Sequence, residues 1–235
     1  MTYPMIEQLY ENLKIAETEA RVIILTGAED AFCAGIDLDF LSTIPPEERG
    51  IKVPTHDEEG WWNITSCPLP VIAAINGPAV GMGAEWTSHC DIRIASSNAR
   101  FSWNFAHRGL IPDTGAGTWL LPRQIGIQNA LRLLYSGDWL DASTALQIGY
   151  VAEVVDPNHL IEKATEEARR YLKGAESSHR LTKKLLYEGL TTSVVSHQVN
   201  SRQTLLECFA SEEHQEGVSA FIEGRTPNFG KTPRS

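Results

Sequence analysis

The sequence lacks every common arrangement for metal or disulfide chemistry. Its four cysteines, Cys33, Cys67, Cys90 and Cys208, form no CxxC pair and no metal-ligand spacing. They read as free thiols of a reducing compartment. Seven histidines are present, with neither HxH nor HExxH among them. Positive charge is also scarce: 20 Lys and Arg stand against 30 Asp and Glu, a net −10. That balance argues against nucleic acid or an anionic membrane as a general partner. It leaves room for an anionic ligand held locally by backbone N–H groups and one or two arginines. No apolar run has the length of a membrane span. Residues 1–8 show no basic segment followed by an apolar one, so no signal peptide is expected and the cytoplasm is the default location.

What is present is ordinary globular composition, 42% hydrophobic and 21% charged over 235 residues, enough for one substantial core. Met5, Ile6, Leu9, Tyr10, Leu13 and Ala16 recur at helical spacing. RVIILT (Arg21–Thr26) reads as a strand and AFCAGID (Ala31–Asp37) as a small-residue turn. Ser42–Gly60, rich in Pro, Glu and Gly, reads as a surface loop or lid. PVIAAIN (Pro70–Asn76) is a second strand, running through Gly77-Pro78 into a Gly-rich turn at Gly81–Gly83 and a helix from about Ala84. Asp91–Ala95 and Arg100–Trp103 read as strands. Thr118–Ile125, Gln128–Tyr135 and Ser143–Ile148 read as helices, and Val151–Val155 as another strand. From about His159 the periodicity is helical to the end. Strand–turn–helix units followed by a helical tail predict an α/β core over 1–158 and a helical region over 159–235.

Two Gly-rich turns, each following an apolar strand, carry the first chemical signal. Glycine permits positive φ and close backbone approach, and such turns leave N–H groups pointing outward. Two of them converging on one oxygen make an oxyanion hole, in which one donor is worth roughly 3–4 kcal/mol. By composition alone this signal is weak: Gly-rich turns after strands are more often plain connections, and a dinucleotide or phosphate site is also open.

AFCAGIDL (Ala31–Leu38), INGPAVGMGAEW (Ile75–Trp86) and CDIRIAS (Cys90–Ser96) resemble the paired signatures of the crotonase (enoyl-CoA hydratase/isomerase) family. GLIPDTGAGTWLLPRQIG (Gly109–Gly126), IGYVAEVV (Ile148–Val155) and EGVSAFIEGRTPNF (Glu216–Phe229) continue the resemblance in the family's order. The resemblance implies a spiral of ββα units with a C-terminal helical region that builds trimers or hexamers. It implies an acyl-CoA substrate, with coenzyme A as part of that substrate and no separate cofactor or metal. Family members carry a β-hairpin ahead of the first helix; this chain starts at MTYPMIEQLYENL, almost at that helix.

Carried over residue by residue, the resemblance puts the oxyanion donors at the backbone N–H groups of Ile36, after Ala34-Gly35, and Met82, between Gly81 and Gly83. The first of the two glutamates used by family hydratases falls on Glu85. The second falls on Phe105, which cannot move a proton. Asp113, in IPDTG, lies where several family isomerases carry an aspartate and where the dehalogenase branch carries its nucleophile. Asp113 is therefore expected as the base and Glu85 as its partner. An apolar wall from Trp103 and Phe105 would raise the pKa of a neighbouring carboxyl. Asp113 as a turn or capping residue and Glu85 as a helix-dipole partner are the bland alternatives. His107 reads either as a pocket residue or as a surface one. Arg108 and Arg225 are candidates for CoA phosphates or for surface ion pairs. Trp61 and Trp62 are candidates for the acyl channel or for core packing.

The expected reaction is double-bond isomerisation of an enoyl-CoA through a stabilised enolate. Hydration of a 2-enoyl-CoA is the runner-up. Carbon–carbon hydrolysis or aryl-CoA dehalogenation, and a non-catalytic acyl-CoA-binding trimer, are the remaining alternatives.

Overall fold

A computed structural model describes residues 1–49, 63–112 and 114–230 of the chain. Asp113, Trp61, Trp62 and much of the expected Ser42–Gly60 loop therefore lie outside the described residues. Helix α1 (Tyr3–Glu19) buries Tyr3, Ile6, Tyr10 and Leu13, the i, i+3, i+4 stripe that the periodicity implies. It leads into strand β1 (Ile23–Thr26), then α2 (Leu38–Ser42), which Asp37 caps by accepting from Phe40 N–H.

The main sheet is parallel throughout. Strand β2 (Val71–Ile75) is buried at every position and pairs with β1 on one side and β4 (Ile92–Ser96) on the other. Beyond β4 lies β7 (Glu153–Val155). A continuously apolar strand is what a sheet covered on both faces requires. Val71, Ala73 and Ile75 face a core shared with α1, Leu69, Phe101 and Tyr150. Ile72 and Ala74 face the opposite way, with Ile94, onto Leu160, Ala164 and Ala168 of α8 (Leu160–Tyr171). Helix α8 lies past residue 158, yet it covers one whole face of the sheet.

A second, smaller sheet runs β3 (Pro78–Val80), β5 (Arg100–Ser102) and β6 (Leu140–Asp141). The sequence reading missed β3 and β6, because two- and three-residue strands beside Gly and Pro leave no period-two signal. The spiral is visible in the connections. β2 passes to β3 and then to α4 (Met82–His89), while β4 passes to β5. After β1, the turn at Cys33 bridges in parallel to Ala79 of β3. Each turn of the spiral thus gives one segment to each sheet.

The stretch read as a helix over Thr118–Ile125 is a π-turn, Ala116–Leu120, running into α5 (Leu121–Ile125). Pro122 has no N–H to return to the carbonyl of Thr118, and the ladder upstream widens. Helices α6 (Ile127–Ser136) and α7 (Ala142–Gln147) follow. The remaining helices are α9 (Glu176–Gly189), α10 (Val194–Phe209) and α11 (Glu212–Glu223). Helix α9 is tied to the core at Asp91. That carboxylate accepts from Lys183 Nζ at 2.7 Å, Tyr187 Oη at 3.1 Å and Val71 N at 2.8 Å.

Candidate active site

The first Gly-rich turn is stitched to β3 by backbone hydrogen bonds. Cys33 N–H donates to Pro78 O at 3.1 Å, and Val80 N–H donates to Cys33 O at 2.9 Å. The second turn is fixed by Gly81 N–H donating to Ser102 O of β5 at 2.9 Å. Gly35 has φ +85°, and Gly81 has φ +54°. The two turns touch: a Cβ on Gly35 would lie 2.7 Å from Val80 O and 3.6 Å from Met82 N. A Cβ on Gly83 would lie 2.2 Å from Cys33 O. Only glycine permits this approach.

Ile36 follows Gly35, and Met82 opens helix α4. Among the described residues neither N–H has a hydrogen-bond acceptor. For Met82 this follows from its place at the first helical position, where no earlier carbonyl exists to receive it. The positive end of the α4 dipole adds to the attraction for an anionic oxygen there. Gly35 is buried, Ala34 is exposed and Ile36 is half-buried. Cys33 lies beside this turn and accepts from Gly35 N–H at 3.4 Å. Burial pushes its thiol pKa up, the opposite of what a nucleophilic cysteine needs.

Helix α4 is buried at every residue. Glu85, one turn in from Met82, is fully inaccessible. Its Oε2 accepts from Thr114 Oγ1 at 2.7 Å and from Gly117 N–H at 3.0 Å. These two donors, from the segment after Asp113 and from the π-turn, set the orientation of the carboxyl. A Cβ on Gly117 would lie 2.6 Å from Glu85 Oε1 and 2.9 Å from Pro112 Cβ. Gly117→Ala is therefore expected to push the carboxyl aside. The expected result is a fall in turnover of tenfold or more, beside a thermal unfolding shift matching only the ~1–3 kcal/mol of an overpacked site. Steady-state kinetics and calorimetry on the same preparation check this.

Phe105 is buried, with Cζ 3.9 Å from the position of a Cβ on Gly81. It stands as an apolar wall beside the second turn. Trp103 is fully buried within an aromatic cluster, stacked on Phe101 and edge-on to Tyr150. Tyr150 Oη in turn bonds Thr87 and Ser88 of α4 at 2.6 and 2.8 Å. Trp103 thus supports the back of α4. His107 is on the surface, in a 3-10 turn (Ala106–Arg108), against Gly137. Arg108 is exposed, and its Nη1 donates to Asn104 O at 3.3 Å. Arg225 is exposed and holds Glu216 bidentately at 2.6 and 2.8 Å, with Glu223 at 2.6 Å.

Three residues of the site were not singled out in the sequence: Thr114, Gly117 and His89. His89 is four residues after Glu85 in MGAEWTSH, hence on the same helix face. That spacing was the available signal.

The family model for enoyl-CoA hydratase/isomerase matches residues 1–232. The chain belongs to this family. A probable enoyl-CoA hydratase of Rhodobacter capsulatus is 34% identical over 229 residues, covering 96% of this chain and 87% of the relative. The 1,2-epoxyphenylacetyl-CoA isomerase of Escherichia coli is 36% identical over 227 residues, covering 94% and 86%. The crystal structure of enoyl-CoA hydratase from Bacillus anthracis superposes with a TM-score of 0.84 at 32% identity, covering 94% of this chain and 88% of that one. The protein is thus a crotonase-fold enzyme of hydratase/isomerase type, a family with which an acyl-CoA substrate is consistent. Among the described residues no helix is long and apolar enough to cross a membrane.

Proposed function

We propose that the protein moves the double bond of an enoyl-CoA thioester, with Asp113 as the base. The observation that carries this reading is Phe105. The resemblance sets it where family hydratases carry their second glutamate, and its ring is buried beside the second turn, an apolar wall with no proton to move. In this reading the thioester carbonyl accepts from Ile36 N–H and Met82 N–H. The Asp113 carboxylate takes a proton from the α-carbon of a 3-enoyl-CoA. The electron pair delocalises into a dienolate whose oxygen is held by the two donors. The proton is then delivered to the γ-carbon, leaving the 2-enoyl-CoA. The thioester is the electron sink, so the step calls for no metal or redox cofactor. Glu85 serves as the second proton carrier. The relative from Escherichia coli named a 1,2-epoxyphenylacetyl-CoA isomerase supports isomerisation of a CoA thioester as the reaction type.

Hydration of a 2-enoyl-CoA is the second reading, favoured by the rigid double anchoring of Glu85 and by the relative named a probable hydratase. Incubation of the protein in D₂O with 2-enoyl-CoA and 3-enoyl-CoA esters separates the two. Deuterium at the α- and γ-carbons with bond migration supports isomerisation. A 3-hydroxyacyl-CoA product supports hydration, and if its formation survives Asp113→Asn but not Glu85→Gln, Asp113 is not the base.

The helical region over 159–235 fits a trimer, a soluble assembly for which the cytoplasm is the proposed location. Val195, Val199 and Leu206 on α10, and Phe221 and Ile222 on α11, are all exposed in the single chain. This many large apolar side chains left exposed on two helices is what an interface between copies would cover. Sedimentation equilibrium is expected to give three or six copies, and Phe221→Glu to shift the population toward the single chain. A wild-type protein that sediments as one chain would remove the proposal.

A further inference from the structure

The buried polar groups behind Glu85 form a chain that the reaction as written does not use. Thr65 Oγ1, from α3 (Asn63–Ser66), lies 2.8 Å from His89 Nδ1. His89 Nε2 lies 3.1 Å from Thr114 Oγ1. Thr114 Oγ1 donates to Glu85 Oε2 at 2.7 Å. Thr65, His89 and Thr114 are all buried, and His89 has no accessible surface at all.

The hydrogen bonds give this chain a direction. The Thr114 hydroxyl has one proton, and Glu85 receives it. Toward His89 the hydroxyl therefore offers only a lone pair, and the imidazole must present Nε2–H. Its Nδ1 is then an acceptor, and the Thr65 hydroxyl stands where it can donate. Burial holds the ring neutral, pushing its pKa down to about 3, and with Glu85 as the acceptor from Thr114 the Nε2–H tautomer completes the chain; Thr65 Oγ1 also lies 3.3 Å from His89 O.

A threonine hydroxyl turns freely about its C–O bond unless its lone pairs are engaged. Thr114 Oγ1 also receives a long bond, 3.4 Å, from Ala116 N–H. The shorter His89 contact comes from the same helix that carries Glu85, one turn further on. Carboxyl and imidazole are thus fixed relative to each other by one stretch of helical backbone.

We infer that His89 is a positioning residue for Glu85, its Nε2–H holding the Thr114 hydroxyl in the orientation that donates to the carboxyl. This rests on the reading that Glu85 moves a proton in the reaction. Loss of the orientation displaces the carboxyl without touching the CoA ester, so kcat falls and KM does not.

The test uses the full-length protein with a 3-hexenoyl-CoA and crotonyl-CoA, and compares His89→Leu, His89→Gln, Thr114→Val, the Leu/Val double variant and Glu85→Gln. His89→Leu is expected to lower kcat about tenfold or more at unchanged KM. His89→Gln places an amide N–H₂ near the position of Nε2 and is expected to recover most of that loss. Thr114→Val is expected to lose as much as His89→Leu, and the double variant no more than either, as links of one chain do. Independently, ¹⁵N NMR of histidine-labelled wild type at neutral pH is expected to show His89 as the Nε2–H tautomer.

A His89→Leu variant with wild-type kcat, beside a Glu85→Gln variant that has lost activity, overturns the inference alone. So does an Nδ1–H tautomer, or full additivity in the double variant. Glu85→Gln with wild-type kcat on both esters overturns the reading of Glu85 and the inference with it. If His89→Leu does not fold, the Gln variant and the tautomer still decide.

Discussion

Asp113→Asn is expected to lower kcat for double-bond migration by about 10²–10⁴, the usual share of a positioned general base. The substitution is isosteric, and the amide oxygen cannot hold a proton at neutral pH. Thermal stability should therefore stay near wild type while exchange at the α-carbon stops. Glu85→Gln is expected to cost less in the same assay, because it removes the second proton carrier and leaves the first abstraction in place. The order of the two losses is the discriminating result. Hydratase chemistry inverts it: water addition then depends on the buried Glu85 and survives Asp113→Asn. Mass and NMR identification of products from 2-enoyl-CoA and 3-enoyl-CoA, run in D₂O on both variants, reads the order directly. An Asp113→Asn enzyme that still migrates the bond at full rate ends the assignment of Asp113 as base.

The fold was legible wherever burial imposes a period. PVIAAIN became the central strand because a parallel sheet covered on both faces needs an unbroken apolar run. The first helix showed its stripe because Ile6, Tyr10 and Leu13 face one core. Strands β3 and β6 were illegible, since a segment of two or three residues has no period and is held by pairing with a distant partner. The π-turn over Ala116–Leu120 was equally hidden: its residues are helical in character, and the change in hydrogen-bond step comes from Pro122 and from packing against α4.

At the site, the glycines were legible because positive φ and close approach admit no other residue. The carboxyl partners were not. Thr114 and Gly117 hold Glu85 across 29 and 32 positions of sequence, and no local pattern encodes so distant a contact. Trp103 shows the reverse limit. An aromatic two residues before Phe105 reads as a second wall of the same pocket, but β5 ends at Ser102 and the ring turns into the Phe101–Tyr150 cluster instead.

Gly35→Ala is the sharpest test of the oxyanion hole, because it combines two independent penalties at one atom. The residue has φ +85°, where an alanine costs about 1–2 kcal/mol. The new Cβ would also stand 2.7 Å from Val80 O, a backbone atom that cannot swing aside. Relief requires the Ala34–Asp37 turn and the Val80–Met82 segment to separate, and those segments carry the two N–H groups. In the proposed mechanism the donors must meet one oxygen at hydrogen-bond distance, and that separation would move them apart. Losing one of them is expected to reduce kcat by about 10²–10³. Gly149→Ala provides the contrast. Its φ is +76°, and nothing lies within 4 Å of its Cβ, so it carries the strain without the clash, away from the site. Both variants are expected to unfold at lower temperature than wild type, and only Gly35→Ala to lose turnover of a 3-enoyl-CoA beyond tenfold. Equal kcat in the two would mean that the separation of the turns does not matter to the chemistry, and that the thioester oxygen is held elsewhere.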